Sequence, residues 1–199
     1  MTHEEEEGQV EGEVIEHEDL DAETEARRQL ALTQIRQYGD PVLRMRASEL
    51  SSFDEDLARL VTRMRQLMHD ARGVGLAATQ VGVPKRLFVI DLSAGRDPKG
   101  LITMVNPRFV SLDGVQLEEE GCLSIPGFNA TVVRPAKATV SGFDRHGQPQ
   151  TIEGTTLLAR AFQHEMDHLD GKVFVDRLRG IKRDLIVRRI QKMKRAGKW

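Results

Sequence analysis

The stretch that most constrains this chain is a short pattern in which two histidines flank a glutamate, at His164, Glu165 and His168. Positions four apart lie on one face of an α-helix, so the two imidazoles can bind one metal ion together. The adjacent carboxylate can then reach a water bound to that ion. Apolar residues fall on several sides of the same segment, which predicts a buried helix. The alternative is that the three side chains are core polar residues satisfied by hydrogen bonds, because so short a pattern also arises by chance.

A third metal ligand is available from the single cysteine of the chain, Cys122. A lone cysteine cannot form an internal disulfide, so it is a buried small hydrophobe, a nucleophile or a ligand. Catalytic zinc-like sites use three protein ligands and leave the fourth position to water. Cys122 with His164 and His168 would complete such a set.

A glycine-containing turn precedes a neutral amide at residues 73–80, where Gly73 and Gly75 lead to Gln80. Glycine lets main chain lie close against a ligand. An amide N–H of the Gln80 type can stabilise a developing oxyanion. By itself such a Gly-x-Gly segment is usually only a turn, and its meaning depends on the other motifs.

The three motifs together resemble the peptide deformylase family: GVGLAATQ at 73–80, EGCLS at 120–124 and QHEMDH at 163–168. The resemblance extends from about residue 32 to about residue 195. It implies a hydrolase that removes the N-formyl group from the N-terminal methionine of newly made polypeptides and releases formate. It also implies Fe²⁺ in the cell, although a Cys-His-His donor set accepts Zn²⁺, Co²⁺ or Ni²⁺ as well.

The residue types and the resemblance assign roles. Glu165, beside a ligand, can take a proton from water and give it to the leaving amine. The Gln80 amide and, by resemblance, the Leu123 backbone N–H would stabilise the oxyanion. The positions that match substrate-lining residues of the family, or that would touch the methionine side chain, are Gly75, Val74, Glu120 and the Leu123 side chain.

Two positions depart from the pattern of some family members, and two other functions stay open. Arg160 stands where some members have an apolar residue at the pocket wall, and Asn129 lies near where others offer an arginine to the peptide. A zinc peptidase of the H-E-x-x-H type is the first alternative, although such enzymes take their third ligand downstream, whereas Cys122 lies upstream. The second is a non-catalytic binding module, against which the presence of Glu165 and Gln80 speaks.

Hydrophobic patterning predicts an α+β fold. Apolar residues at three- and four-residue steps over residues 57–71 predict an amphipathic helix, and a last helix is expected over 180–195. Short apolar runs such as Leu87–Ile90 predict strands, and Asp113-Gly114 predicts a hairpin between its neighbours. Because helices and strands do not alternate in βαβ units, mostly antiparallel short sheets around the metal-binding helix are expected.

Charge divides the chain into two parts. Residues 1–26 hold twelve acidic residues and no Lys or Arg, so 19 acidic and all 29 basic residues remain for the rest. Few apolar residues and no aromatics predict that 1–30 form a disordered acidic tail ahead of one catalytic domain at 31–199. A merely solvating tail is the expectation; the alternative is a tail that competes with polyanions for the basic surface.

The expected partners follow from the C-terminal charge and from the resemblance. Residues 176–199 contain ten basic and two acidic residues. The resemblance implies N-formyl-Met nascent peptides as substrates and docking of this basic helix on the ribosome. No run of 18 or more apolar residues is present, so no membrane span is expected. One cysteine fits a reducing compartment, and we expect a cytoplasmic protein.

Overall fold

The computed structural model describes residues 21–197 and is built, within that range, of four α-helices and seven strands. The helices are α1 (Ala22–Thr33), α2 (Glu55–Asp70), α3 (Thr156–Leu169) and α4 (Ile181–Arg195). The strands are β1 (Gly75–Ala77), β2 (Leu87–Ile90), β3 (Ile102–Asp113), β4 (Gln116–Cys122), β5 (Ile125–Arg134), β6 (Lys137–Phe143) and β7 (Pro149–Thr155). The predicted α+β class is confirmed.

The strands form two antiparallel sheets. Five of them are ordered β1-β2-β3-β6-β7, and β4 pairs with β5 alone. The hairpin predicted at Asp113-Gly114 is wrong, because β3 pairs with β2 and β6 while β4 pairs with β5. A turn signal predicts only a local change of direction, whereas the pairing of each strand depends on which neighbour its buried face packs beside in the whole fold.

Strand β2 is buried on both faces and so separates two apolar cores. Leu87 and Val89 face the core that α1 and α2 cover. Phe88 and Ile90 face the core that α3 covers, where Phe162 of that helix packs. Successive strand residues point to opposite faces, so one short run of four apolar residues serves both cores. The predicted metal-binding motif therefore lies on a helix that packs against the sheet.

A third core joins β5 to the C-terminal part of the chain. Its buried members include Phe128, Val132, Phe174 and, from α4, Ile190. Helix α4 is thus anchored by one apolar side, while its basic residues are mostly exposed. Among residues 21–197, none of the helices has the length and apolar character that crossing a bilayer requires.

The predicted boundary of the acidic tail needs correction, because residues 22–30 belong to helix α1. The Asp21 side chain caps this helix by accepting from the Thr24 N–H (2.9 Å). Glu23 and Glu25 lie in the first turn, where negative charge is stabilised by the helix dipole. Ala31 is buried in the core that α1 shares with α2. Residues 1–20, which make up the rest of the predicted tail, lie outside the described residues.

Candidate active site

Three separate segments bring their motif residues to one place. Strand β4 ends at Cys122, and α3 carries His164 and His168 on one face. The Cys122 Sγ lies 3.3 Å from His168 Nε2, and the two imidazole rings are 5.0 Å apart between centroids. One donor atom from each of the three side chains falls within 4.8 Å of the other two. A thiol and two imidazoles at that spacing fit a divalent metal ion of borderline softness.

The two histidines are in different electrostatic settings. Burial by itself lowers the pKa of His164, but hydrogen bonds with Cys122 and Glu120 outweigh it and raise that pKa well above its usual value. Burial, followed by the charge of His164, lowers the pKa of His168 well below its usual value. A metal binds the neutral imidazole through its lone pair, so both histidines would hold an ion in their neutral forms.

Glu120 holds His164 in place. The Glu120 Oε2 accepts from His164 Nδ1 (3.1 Å) and from Arg134 Nη2 (2.8 Å), and Oε1 accepts from Arg160 Nη1 (2.6 Å). Burial alone would raise the pKa of Glu120, but the bonds from Arg134 and then His164 hold it well below its usual range. Glu120 lines the cleft, as the resemblance implies. Its carboxylate nevertheless points at His164, which fixes the ring and leaves the other nitrogen for a metal.

Sequence reasoning missed Arg134, which is 3 % exposed and extends this network. Its Nη1 donates to Asp167 Oδ2 at 2.9 Å, and Arg177 donates to the same carboxylate. Burial lowers the pKa of Arg134, but the hydrogen bond to Glu120 more than offsets this and raises it. The available signal was the alternation of β5, in which Arg134 shares the inward face of buried Val132.

Glu165 is confined in a tight, buried setting. It is 3 % exposed, and its Oε2 has no hydrogen-bond partner among the described residues. A Cβ on Gly75 would come within 3.0 Å of the Glu165 carboxylate, so only glycine leaves room for it. Burial raises the pKa of Glu165 to about 7. A carboxylate with that pKa can both accept and return a proton near neutral pH.

Gln80, the predicted amide donor, lies beside the cysteine. It is 2 % exposed, and its Oε1 accepts from the Ala77 N–H at 2.9 Å, which fixes the amide. Its Nε2 then lies 3.1 Å from Ser124 Oγ and 3.6 Å from Cys122 Sγ. Leu123 stands in the turn between β4 and β5 and, like Gln80, lines the cleft. Both sequence-predicted oxyanion donors therefore lie at the Cys122 end of that cleft.

The site opens into a cleft of about 530 Å³. Val74 is 42 % exposed and lines it together with Leu123, which gives the apolar surface expected for a methionine side chain. Asn129 lines the cleft as well. Arg160 is 4 % exposed and bonded to Glu120, so its guanidinium is part of the buried network. The predicted site residues thus all lie at or next to one cleft.

Comparisons with known proteins agree with this geometry. The sequence model described as Polypeptide deformylase matches residues 32–184. The peptide deformylase of Acidobacterium capsulatum is 49 % identical over 162 residues, which cover 81 % of this chain and 95 % of that protein. A crystal structure of a peptide deformylase from Legionella pneumophila superposes with a TM-score of 0.77 at 48 % identity, covering 82 % of this chain and 95 % of that one. A peptide deformylase from Synechococcus elongatus, in complex with actinonin, gives a TM-score of 0.75 at 40 % identity, covering 80 % and 86 %.

Proposed function

The chain belongs to the polypeptide deformylase family, and from that membership we propose how its own residues divide the work of the reaction. It is a metal-dependent hydrolase that removes the N-formyl group from the N-terminal methionine of newly made polypeptides and releases formate. The observation that carries the assignment of roles is the buried Glu165 carboxylate beside the Cys122, His164 and His168 cluster.

Cys122, His164 and His168 would hold the metal ion. The donor set fits such an ion, and the Glu120 bond to His164 Nδ1 orients one ligand towards it. When bound there, a divalent ion would supply Lewis-acid chemistry, because it would lower the pKa of a water towards neutrality and favour negative charge on the formyl oxygen. Fe²⁺ is our proposal for the native metal and rests on the family resemblance, since Zn²⁺, Co²⁺ and Ni²⁺ suit the same donors. Metal analysis of protein purified without oxygen tests it, and stoichiometric Zn²⁺ with little iron would contradict it.

Glu165 acts as the general base and then as the general acid. Its free Oε2 can take a proton from the attacking water as the C–O bond forms at the formyl carbon. The same oxygen gives that proton to the departing amine when the C–N bond breaks, so formate and a free amino terminus result. Its pKa of about 7 suits both transfers near neutral pH.

Gln80 and Leu123 stabilise the negative charge on the formyl oxygen. The Gln80 amide is fixed by the Ala77 N–H and so needs little reorganisation when charge develops. The Leu123 N–H is the second proposed donor, in the turn next to Cys122. Gly75 and Val74 lie along the peptide, with Val74 and the Leu123 side chain against the methionine. For Glu120 the contacts support a positioning role towards His164 rather than direct substrate binding.

Two further proposals concern where the enzyme works. The basic residues of α4 would dock on the ribosome close to emerging formylated chains, and the exposed position of this helix supports that. Synthesis of the substrate there places the enzyme in the cytoplasm, which the single unpaired cysteine also fits.

One assay separates this function from its alternatives. Incubation with formyl-Met-Ala-Ser should release formate and leave the internal peptide bonds intact. Internal cleavage would indicate a metallopeptidase of the H-E-x-x-H type, and neither product would indicate a binding module. The metal-loaded protein is used, with Glu165→Ala as the inactive control.

A further inference from the structure

Helix α1 is a wall of the substrate cleft although it lies almost wholly outside the family match. The match begins at residue 32, whereas α1 begins at Ala22. Arg28 and Leu32 of this helix both line the cleft. They are four residues apart and so share one helix face. Ala31 of the same helix, and Ile35 just beyond its end, are buried in the core that includes α2. The cleft of this chain thus has a side chain that the shared family segment does not provide.

Arg28 is held at the cleft rather than in bulk solvent. Its side chain is 15 % exposed, against 58 % for the neighbouring Arg27. Its Nη1 lies 3.3 Å from Glu25 Oε1, one turn earlier, which orients the guanidinium. A guanidinium has donors on three nitrogens, so this bond leaves capacity for another acceptor. Arg72 lines the same cleft and adds positive charge, while the carboxylate of Glu119 lines it as well.

We propose that Arg28 determines specificity for the peptide residues that follow formyl-methionine, by favouring an acidic side chain and disfavouring a basic one. The inference rests on the proposed function, because it needs the formyl group at Glu165. Gly75 lies against Glu165, and Arg72, which lines the same cleft, precedes Gly75 by three residues of the chain. Three residues of chain span at most about 10 Å. Formyl-methionine and the next two residues are therefore long enough to reach the arginine end.

The test compares Glu with Lys in the substrate. The metal-loaded enzyme is assayed for formate release from formyl-Met peptide amides that carry Glu or Lys as the second or the third residue. The measured quantity is the ratio of kcat/KM for the Glu peptide to that for the Lys peptide at each position, which does not depend on the overall activity of a variant. An ion pair that solvent still reaches predicts a wild-type ratio of about two to five at one of the positions, with the difference mainly in KM.

Variants then separate Arg28 from the general charge of the helix. Arg28→Gln should bring the ratio close to one, Arg28→Glu should invert it, and Arg28→Lys should retain most of it. Arg27→Gln is the matched control and should leave the ratio at the wild-type value. High salt should reduce the ratio, because screening weakens exposed ion pairs.

Three results would overturn the proposal: a wild-type ratio of one at both positions, an unchanged ratio in Arg28→Gln and Arg28→Glu, or an equal change in Arg27→Gln. Failure of the wild-type enzyme to release formate from formyl-Met-Ala-Ala amide, which has no charged side chain, would instead contradict the proposed function.

Discussion

Glu165 owes its suitability as a base to the space around it. The carboxylate is buried, one oxygen has no partner among the described residues, and its pKa is raised to about 7. Gly75 makes this possible, because a side chain there would occupy the position of the carboxylate. Because Glu165 directly follows His164, the proposed base lies next to a proposed metal ligand.

The first prediction at this scale is that Glu165→Ala keeps the metal and loses turnover. Glu165 is proposed as a base and not as a ligand, so metal content should stay near one ion per chain. Removal of a general base should lower kcat by about 10²–10⁴-fold. Formate release and metal content are measured on the same preparation. A variant that keeps most of its formate release would contradict the assignment.

The second prediction concerns Glu120 as a positioning residue. Glu120→Gln keeps the shape of the side chain but removes the charge that accepts from His164 Nδ1 and two arginines. Loss of such a partner weakens metal binding about 10- to 100-fold. Competition with a chelator measures the affinity. Glu119→Gln, at the exposed neighbouring position on β4, is the matched control, and equal affinity of the two variants would contradict the role.

At the scale of elements, Asp91 connects β2 to α2 and to the loop that follows. It is 1 % exposed and accepts from His69 Nε2 (2.8 Å), from the Ser93 N–H (2.8 Å) and from the Gly95 N–H (3.0 Å). Burial by itself would raise the pKa of Asp91, but the bonds from Ser93 and His69 outweigh it and lower the pKa below 3.8. The Asp91 carboxylate thus fixes the C-terminal end of β2 against α2.

The third prediction is that Asp91→Asn lowers the free energy of unfolding by about 1–3 kcal/mol, because an amide group faces donors that then lack an acceptor. The folded-state pKa lies below the unfolded value of 3.8, so the carboxylate stabilises the fold above that pH and loses its effect as pH falls through the folded pKa. The stability gap between wild type and variant should therefore be full at pH 7 and shrink below about pH 4. Urea unfolding at several pH values measures it, with exposed Asp113→Asn as control. A gap that does not depend on pH would contradict the linkage.

At the scale of the whole molecule, sequence reasoning predicted the residues that meet at the cleft because each motif is local. The proposed ligands His164 and His168 lie one helix turn apart, and Gln80 follows its glycines closely. The network through Arg134 could not be read in the same way, since its partners come from β4 and α3 and meet only after folding. Sequence reasoning also missed Arg28, because the acidic composition around it predicted a disordered tail. Packing against α2 stabilises a helix there instead.

Helix α4 leads to the last prediction, because its two sides differ in character. Ile190 is fully buried, with Ile186 and Met193 packed nearby, so this side fixes the helix to the body of the protein. On the outer side Arg188, Lys192 and Arg195 are exposed. Within residues 176–199 ten basic residues stand against two acidic ones. Such a surface fits the phosphates of ribosomal RNA, and binding should fall steeply with salt as counterions are released.

Ribosome co-sedimentation at two salt concentrations tests this. Charge reversal at Arg188, Lys192 and Arg195 should weaken binding and reduce its salt dependence by about three in the log–log slope, close to one per lost phosphate contact. The matched control is charge reversal at three exposed arginines of α2, Arg59, Arg63 and Arg65. It should lower ribosome binding and its salt dependence less than the α4 reversal does.

A second experiment removes residues 1–20, which carry nine acidic residues and precede α1. If that segment competes for the basic surface, the shortened protein binds more tightly and the difference shrinks at high salt. Equal ribosome binding by the full-length and the shortened protein would exclude competition. Binding that does not change with salt concentration would exclude a phosphate contact altogether.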